Sequence, residues 1–326
     1  MTKPSSDNQH KITSIGGSAL IEGIMMRGPK KTTVCGRLDE DAVYVEDISV
    51  NTLSSKSKIW RIPIIRGIAG LIDSMKLSYK ALELSADKAL EAGEIEEEEP
   101  SKLETWLTEK FGDNLMKVIM VVATVLGVLL AVALFFFLPT YLYKLVCLIF
   151  PALDGVVIFQ SIFEGVLKIA IFLVYIILCS RMEEMKRVFM YHGAEHKTIF
   201  CYENNEELTV ENVRKQSRFH PRCGTSFLVV ALLMGILVGL FIPAKPFGIT
   251  FLRPVFKLLL LPLMVGLSYE FIKVCGKYDN KITRFFATPG LWAQRITTKE
   301  PEDGMISCAI IAMKAVIPDD GSDIIK

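Results

Sequence analysis

Apolar positions along this chain change their spacing from one stretch to the next. From residue 12 to about residue 65 they fall in short alternating or continuous runs broken by Gly and Pro, as in residues 42–50 and 59–65. That pattern predicts a small antiparallel β unit. From residue 67 to 92 the period becomes helical, with Ile68, Leu71, Ile72, Met75, Leu82, Leu84, Ala89 and Leu90 forming one stripe. The acidic run 94–99, closed by Pro100, reads as a solvated linker. Residues 103–110 read as a short amphipathic helix lying on a membrane, with Trp106 as an interfacial anchor.

The next segments are long and apolar enough to leave water. Residues 118–138 form an uncharged run that ends at Pro139, about 31 Å long as a helix. Residues 141–150 are too short to cross and suit an interfacial segment or an extension of that span. Residues 156–179 form a second span carrying Glu164 and Lys168, four apart and so on one helical face, a pair expected to face a partner and not lipid. Residues 225–242 form a third, with Gly235 and Gly239 at a spacing that lets another helix approach. Residues 255–272 form a fourth, kinked at Pro262 and interrupted by Lys257. The fold class expected is therefore a polytopic α-helical membrane protein with about four transmembrane helices and a cytoplasmic α+β domain built from the N-terminal region plus the C-terminal tail.

Composition fits this division. The mean hydropathy of +0.38 is high for a soluble chain, while 51% hydrophobic residues exclude disorder as the dominant state. A net charge of +1 argues against a nucleic-acid partner recruited by bulk charge. Basic residues are unevenly placed: Lys144 is the one between the first two spans, Lys245 and Arg253 lie between the last two, and eight lie between spans two and three. The tail after span four adds Lys273, Lys277, Lys281 and Arg284. By the positive-inside bias the central loop and both termini are cytoplasmic. The expected organisation is a polar tail over 1–11, a cytoplasmic β unit, helix and linker over 12–110, a transmembrane domain over 111–272 with a cytoplasmic loop at 180–224, and C-terminal helices over 273–326. Residues 1–11 lack the apolar core of a secretory signal, so the first span is expected to direct its own insertion. Five of the seven cysteines then face the reducing side and no disulfide is expected. Residues 291–298 and 305–316 read as helices, with Thr298 or the residues after it capping the last one, which should pack on the N-terminal unit.

Three of the four histidines lie in the central loop. His192, Glu195 and His196 form H-x-x-E-H, the inverse of the zinc-protease signature. On a helix the two imidazoles project from one face and can grip one zinc ion, while Glu195 reaches a water as general base. His220 and Cys223 supply a further nitrogen and a thiolate just before span three, and Glu270, at the inner end of span four, can approach the same surface. Four protein ligands make a closed, structural zinc site; three leave a catalytic position open. The same histidines can instead serve lipid head groups, a partner or ordinary hydrogen bonds. The glycines around residues 16–28 lack the G-K-[ST] of a phosphate loop and read as close backbone packing. Glu164 and Lys168 read as an interhelical lock more readily than as a transport path.

The blocks 16–29, 191–197, 220–227, 289–292 and 294–298 resemble the YqhQ family of bacterial membrane proteins (domain of unknown function 1385), and the resemblance runs in order from residue 16 to about 316. It implies a protein of the bacterial cytoplasmic membrane with a metal-dependent activity at His192, Glu195, His196, His220 and Cys223. It also implies a competing, non-enzymatic role: a homo-oligomeric, ring-forming accessory in the lipid bilayer beside the Sec translocon.

Overall fold

A computed structural model of the chain describes residues 11–38, 42–53, 57–91, 113–277 and 281–325. The linker 94–99 and the segment 103–110 with Trp106 lie outside the described residues. The strands are β1 Gly16–Leu20, β2 Gly23–Arg27, β3 Thr32–Arg37 and β4 Val43–Asp47. The helices are α1 Ile65–Glu91, α2 Asp113–Val132, α3 Leu138–Ile149, α4 Val157–Cys179, α5 Glu183–Glu203, α6 Val210–Lys215, α7 Gly224–Gly239, α8 Leu252–Leu259, α9 Leu261–Lys277, α10 Lys281–Thr297 and α11 Asp303–Val316. They divide into two compact units, one drawn from residues 1–95, 175–230 and 266–326, the other from 96–174 and 231–265.

In the first unit the strands pair antiparallel in chain order, with Gly17 opposite Met26, Met26 opposite Thr33 and Cys35 opposite Val45. Because side chains alternate across a strand, β2 serves two cores. Ile24 and Met26 join Met305, Ile306, Ala309 and Met313 of α11 and Tyr191 and Ala194 of α5. Met25 turns the other way, to Val34, Tyr44 and the α1 residues Leu77 and Ala81. Each fully buried methionine or isoleucine contributes about 1.5–3 kcal/mol. The sheet is thus covered on both faces, with α11 packed on one of them. Beside the sheet, residues 12–14 pair with 323–325: the Ser14 N–H donates to the Asp323 carbonyl at 2.6 Å and the Ile325 N–H to that of Ile12 at 2.8 Å.

Residues 59–65 are not a strand. Lys58–Arg61 is a 3-10 turn capped by Ser57, whose side chain accepts from the Ile59 N–H, and α1 begins at Ile65. Pro63 has no N–H to give a ladder, and Ile59 and Ile62 are exposed, so the apolar alternation marks a surface and not a core. The last helix is entered from Glu302 with no side-chain cap, so Thr298 does not cap it.

In the second unit α2 runs through a π-helical turn, Ala133–Phe137, into α3 without stopping at Pro139. The π turn accommodates the missing N–H, and the Thr140 hydroxyl oxygen lies 3.3 Å from the Phe136 carbonyl. Of this helix, Val121–Ile149 is long and apolar enough to cross a bilayer, as is Val157–Cys179. A third candidate is the pair Leu252–Leu259 and Leu261–Cys275, bent by 48°, where Pro262 interrupts the helical hydrogen bonds. Gly224–Gly239 is apolar but 16 residues long, about 24 Å against the roughly 30 Å of a hydrocarbon core.

Glu164 ties this unit together. Its carboxylate is buried and accepts from Thr140 Oγ1 at 3.0 Å, Gln160 Nε2 at 2.9 Å, Arg253 Nε at 3.2 Å and the Lys257 ammonium. Arg253, counted from sequence as a loop residue, lies in the first turn of α8, fully buried, and its remaining N–H groups reach Ser161 and the carbonyls of Gly239, Ile242 and Pro243. Lys168 makes no ion pair among the described residues and sits over the Phe136 ring, 4.8 Å from its centre. The long-range cations, not the neighbour four residues on, are the partners of Glu164. Glu164→Ala should therefore cost about 3–5 kcal/mol by stranding two buried cations, whereas Lys168→Met should leave stability unchanged or raised. Unfolding of the detergent-solubilised protein by SDS measures both; equal damage from the two substitutions would refute this assignment.

Candidate metal centre

Helix α5 starts with Glu183 and Glu184, which suit its positive end, and from Phe189 onward it is buried almost all round. At Gly193 the chain from α10 to α11 crosses it. The Lys299 N–H donates to the Phe189 carbonyl at 2.8 Å, and an added Cβ at Gly193 would collide with the Lys299 carbonyl. Only glycine permits that approach. On the face beside this crossing His192 and His196 stand one turn apart, ring centres 4.4 Å from each other.

Each imidazole is fixed by a backbone carbonyl. His192 Nδ1 lies 2.8 Å from the Thr297 oxygen and His196 Nδ1 2.5 Å from the Arg218 oxygen. A carbonyl can only accept, so Nδ1 carries the proton in both rings and the Nε2 lone pairs are left for another purpose. His192 Nε2 faces the Cys223 sulfur at 3.1 Å. His196 Nε2 is buried with no hydrogen-bond partner among the described residues. Cys223, in the turn before α7, accepts from the N–H and hydroxyl of Thr225 at 3.5 and 3.3 Å. One ligand atom from each of His192, His196 and Cys223 lies within 4.8 Å of the other two, so small side-chain movements would bring all three to the 2.0–2.3 Å bonds of a zinc-like ion. The group could hold a metal.

Of the other candidates His220 is near this group, its ring centre 5.6 Å from that of His196, and each has partners of its own. His220 is buried next to Phe200, its Nδ1 accepts from the Arg222 N–H at 3.3 Å, and its Nε2 lies 3.5 Å from the Glu203 carboxylate. Burial is the main cause that pushes its pKa down to about 4, Glu203 acting against it. The Glu203 carboxylate itself stays below its ordinary range: burial would raise it, but His220, Arg222 and the Thr13 N–H outweigh burial. Gln294 of α10 holds the His220 backbone at both ends, donating to its carbonyl and accepting from its N–H, each at 2.7 Å. Glu195 is directed at the sheet, where it accepts from the Gly17 N–H at 2.9 Å. Burial raises its pKa, opposed by His192 and that hydrogen bond. Glu270 is paired with Arg66 and accepts from the Ile64 N–H at 3.2 Å, so it does not join the cluster. The carbonyls of Thr297 and Arg218 and the clamp of Gln294 were not legible, since any residue type supplies a carbonyl.

A family model described as a protein of unknown function (DUF1385) matches residues 62–319, which include every member of this cluster and the two carbonyls that orient it. The chain belongs to this family. It is also 33% identical over 306 residues to the uncharacterized protein YqhQ of Bacillus subtilis (strain 168), an alignment covering 93% of this chain and 92% of that protein. No solved structure matches. The DUF1385 match begins after β4, so the Gly17–Glu195 contact has one partner within the matched span and one before it.

Helix propensity favours Gly193→Ala by about 1 kcal/mol, whereas the crossing at Lys299 predicts the opposite sign. The substitution should destabilise by about 1–3 kcal/mol through overpacking, read as a lowered melting temperature of the purified protein; a raised one would show that the crossing yields.

Proposed function

We propose that the protein is an integral protein of the bacterial cytoplasmic membrane that holds a zinc ion at His192, His196 and Cys223 on the cytoplasmic side and uses it in metal-dependent hydrolysis. One observation carries the reading: the Nε2 atom of the buried His196 has no hydrogen-bond partner among the described residues. Such an atom costs about 1–3 kcal/mol, and a cation between it, His192 Nε2 and Cys223 Sγ removes that cost. A thiolate with two imidazoles favours zinc over calcium or magnesium. His192, His196 and Cys223 would hold the ion, which when bound would supply Lewis-acid activation of a water or a substrate. The chain's own groups do the remaining work. The carbonyls of Thr297 and Arg218 hold the two rings in the ligating tautomer, and Glu195 Oε2, which has no hydrogen-bond partner among the described residues, is the atom available to take a proton.

Four spans, formed by α2 with α3, by α4, by α7 and by α8 with α9, put both termini and the loop bearing the site on the side rich in Lys and Arg. The short α7 fits by local thinning of the bilayer. The hydrogen bond from the Gly17 N–H to Glu195 supports a second reading, in which the metal is structural and the chain acts without catalysis as a homo-oligomeric accessory of the protein-translocation channel.

Metal analysis of the full chain in detergent tests the site. About one zinc per chain is expected, lost in His196→Ala and in Cys223→Ser but kept in His220→Ala. No zinc after reconstitution, or zinc kept in both of the first two variants, overturns it. Glu195→Gln then separates the readings: hydrolysis lost with zinc retained supports catalysis, and zinc-bound protein that hydrolyses no ester, peptide or phosphodiester supports the structural role.

A further inference from the structure

A second site lies in the same unit, on residues that the metal cluster does not use. Between the end of β2, the 3-10 turn before α1, α1 itself and α9 is a cavity of about 340 Å³ lined by Arg27, Trp60, Arg61, Arg66, Asp73 and Tyr269. Its frame is rigid. A Cβ added at Gly67 would approach the Tyr269 side chain to 2.7 Å, so α1 and α9 are as close as glycine allows, and Arg66 is locked to Glu270 across the same junction.

Three guanidinium groups converge on one cavity, and both the carboxylate that lines it, Asp73, and Glu270 beside Arg66 are already engaged. Asp73 is buried and accepts the Leu53 N–H on both oxygens, at 2.9 and 3.0 Å. Glu270 is taken by Arg66 and the Ile64 N–H. Arg27 is exposed, and while its backbone pairs within the sheet, its side chain makes neither a hydrogen bond nor an ion pair among the described residues. Arg27 thus brings a positive charge to a cavity with two aromatic walls and enough volume for a small polar group. A guanidinium fork matches two oxygens of a phosphoryl group. Its surroundings narrow the source: Ile59 and Ile62, on the turn that carries Trp60 and Arg61, are 60% and 49% exposed, and an indole and a phenol beside exposed isoleucines suit the boundary of a bilayer.

We infer that this cavity binds an anionic phosphoryl group, with Arg27 as its principal free contact and a phospholipid head group or a soluble phosphate ester as the source. The lipid source rests on the membrane reading above; the phosphoryl chemistry rests neither on that reading nor on zinc.

The test compares wild type, Arg27→Gln and Arg27→Lys as full chains in two arms. One measures phosphatidylglycerol retained on the protein from nanodiscs of phosphatidylcholine with and without phosphatidylglycerol; the other titrates glycerol phosphate calorimetrically in detergent. Arg27→Gln should weaken binding by about tenfold or more, with Arg27→Lys intermediate and melting temperatures unchanged, as suits an exposed side chain. Loss in the lipid arm alone identifies a head-group site, and loss in the glycerol phosphate arm identifies a soluble ester. No selective binding in either arm, or binding that Arg27→Gln leaves intact, overturns the inference.

Discussion

Between Phe189 and Glu203, α5 carries Glu195, His196, Lys197, Thr198 and Glu203 into the interior of its unit, where water cannot satisfy them. Each polar atom left unpaired there costs on the order of 1–3 kcal/mol, so the surrounding chain must be placed to meet them. Glu195 receives the Gly17 N–H and fixes the start of β1. Lys197 takes the Arg214 carbonyl and Glu300, from two segments that follow the helix far apart in sequence. Thr198 turns back to the Ala194 carbonyl. Glu203 receives the Thr13 N–H and Arg222, drawing both the N-terminal segment and the turn before α7 to the helix end. The arrangement of the unit follows from this partnering of one helix. Among the described residues of that stretch, the Nε2 of His196 is the fully buried side-chain nitrogen or oxygen left without a partner.

The second unit obeys the same rule under harsher conditions. A carboxylate among apolar helices needs its charge matched and its lone pairs filled, and Glu164 has both from four donors. Two cations for one carboxylate leave Arg253 with donors to spare. These go to the carbonyls of Gly239, Ile242 and Pro243, the end of α7 and the turn after it, where helical partners run out. A helix terminus in an apolar setting and a surplus guanidinium thereby solve each other's problem.

Periodicity found what depends on nearest neighbours. The strands before residue 50, the long α1, the last helix and the apolar segments followed from alternation and from runs of Val, Leu and Ile. What escaped depends on partners distant in sequence. Glu164 and Lys168 share a helical face, yet the partners of Glu164 lie on α8, and nothing local marks Arg253 as buried and not in a loop. Residues 59–65 alternate like a strand, but a single Pro63 and a Ser57 cap decide the backbone. Of the H-x-x-E-H group, the two histidines share a face because helix geometry requires it. Glu195, three residues after the first, is rotated toward the sheet, and no spacing reveals which neighbour claims it. His220 clusters with the others along the chain and stays beside His196, ring centres 5.6 Å apart, while the Glu203 carboxylate and the Arg222 N–H face its two nitrogens.

The sulfur atoms show why a ligand is a matter of surroundings and not of residue type. Cys35 and Cys308 lie 3.1 Å apart between β3 and α11, both fully buried, and the Cys308 thiol donates to its neighbour. That hydrogen bond, and burial after it, hold the Cys308 thiol well above its usual range. Burial likewise raises Cys201 to about 11. A buried thiol without a cation nearby keeps its proton and packs like a small apolar side chain. Cys223 is placed otherwise: it is half-buried, donors from Thr225 point at its sulfur, and two imidazoles with fixed Nδ1 protons turn their other nitrogens to the same space. A metal that binds thiolate and imidazole would find those three groups assembled at that one place, because folding has already fixed the rings and brought the sulfur to them.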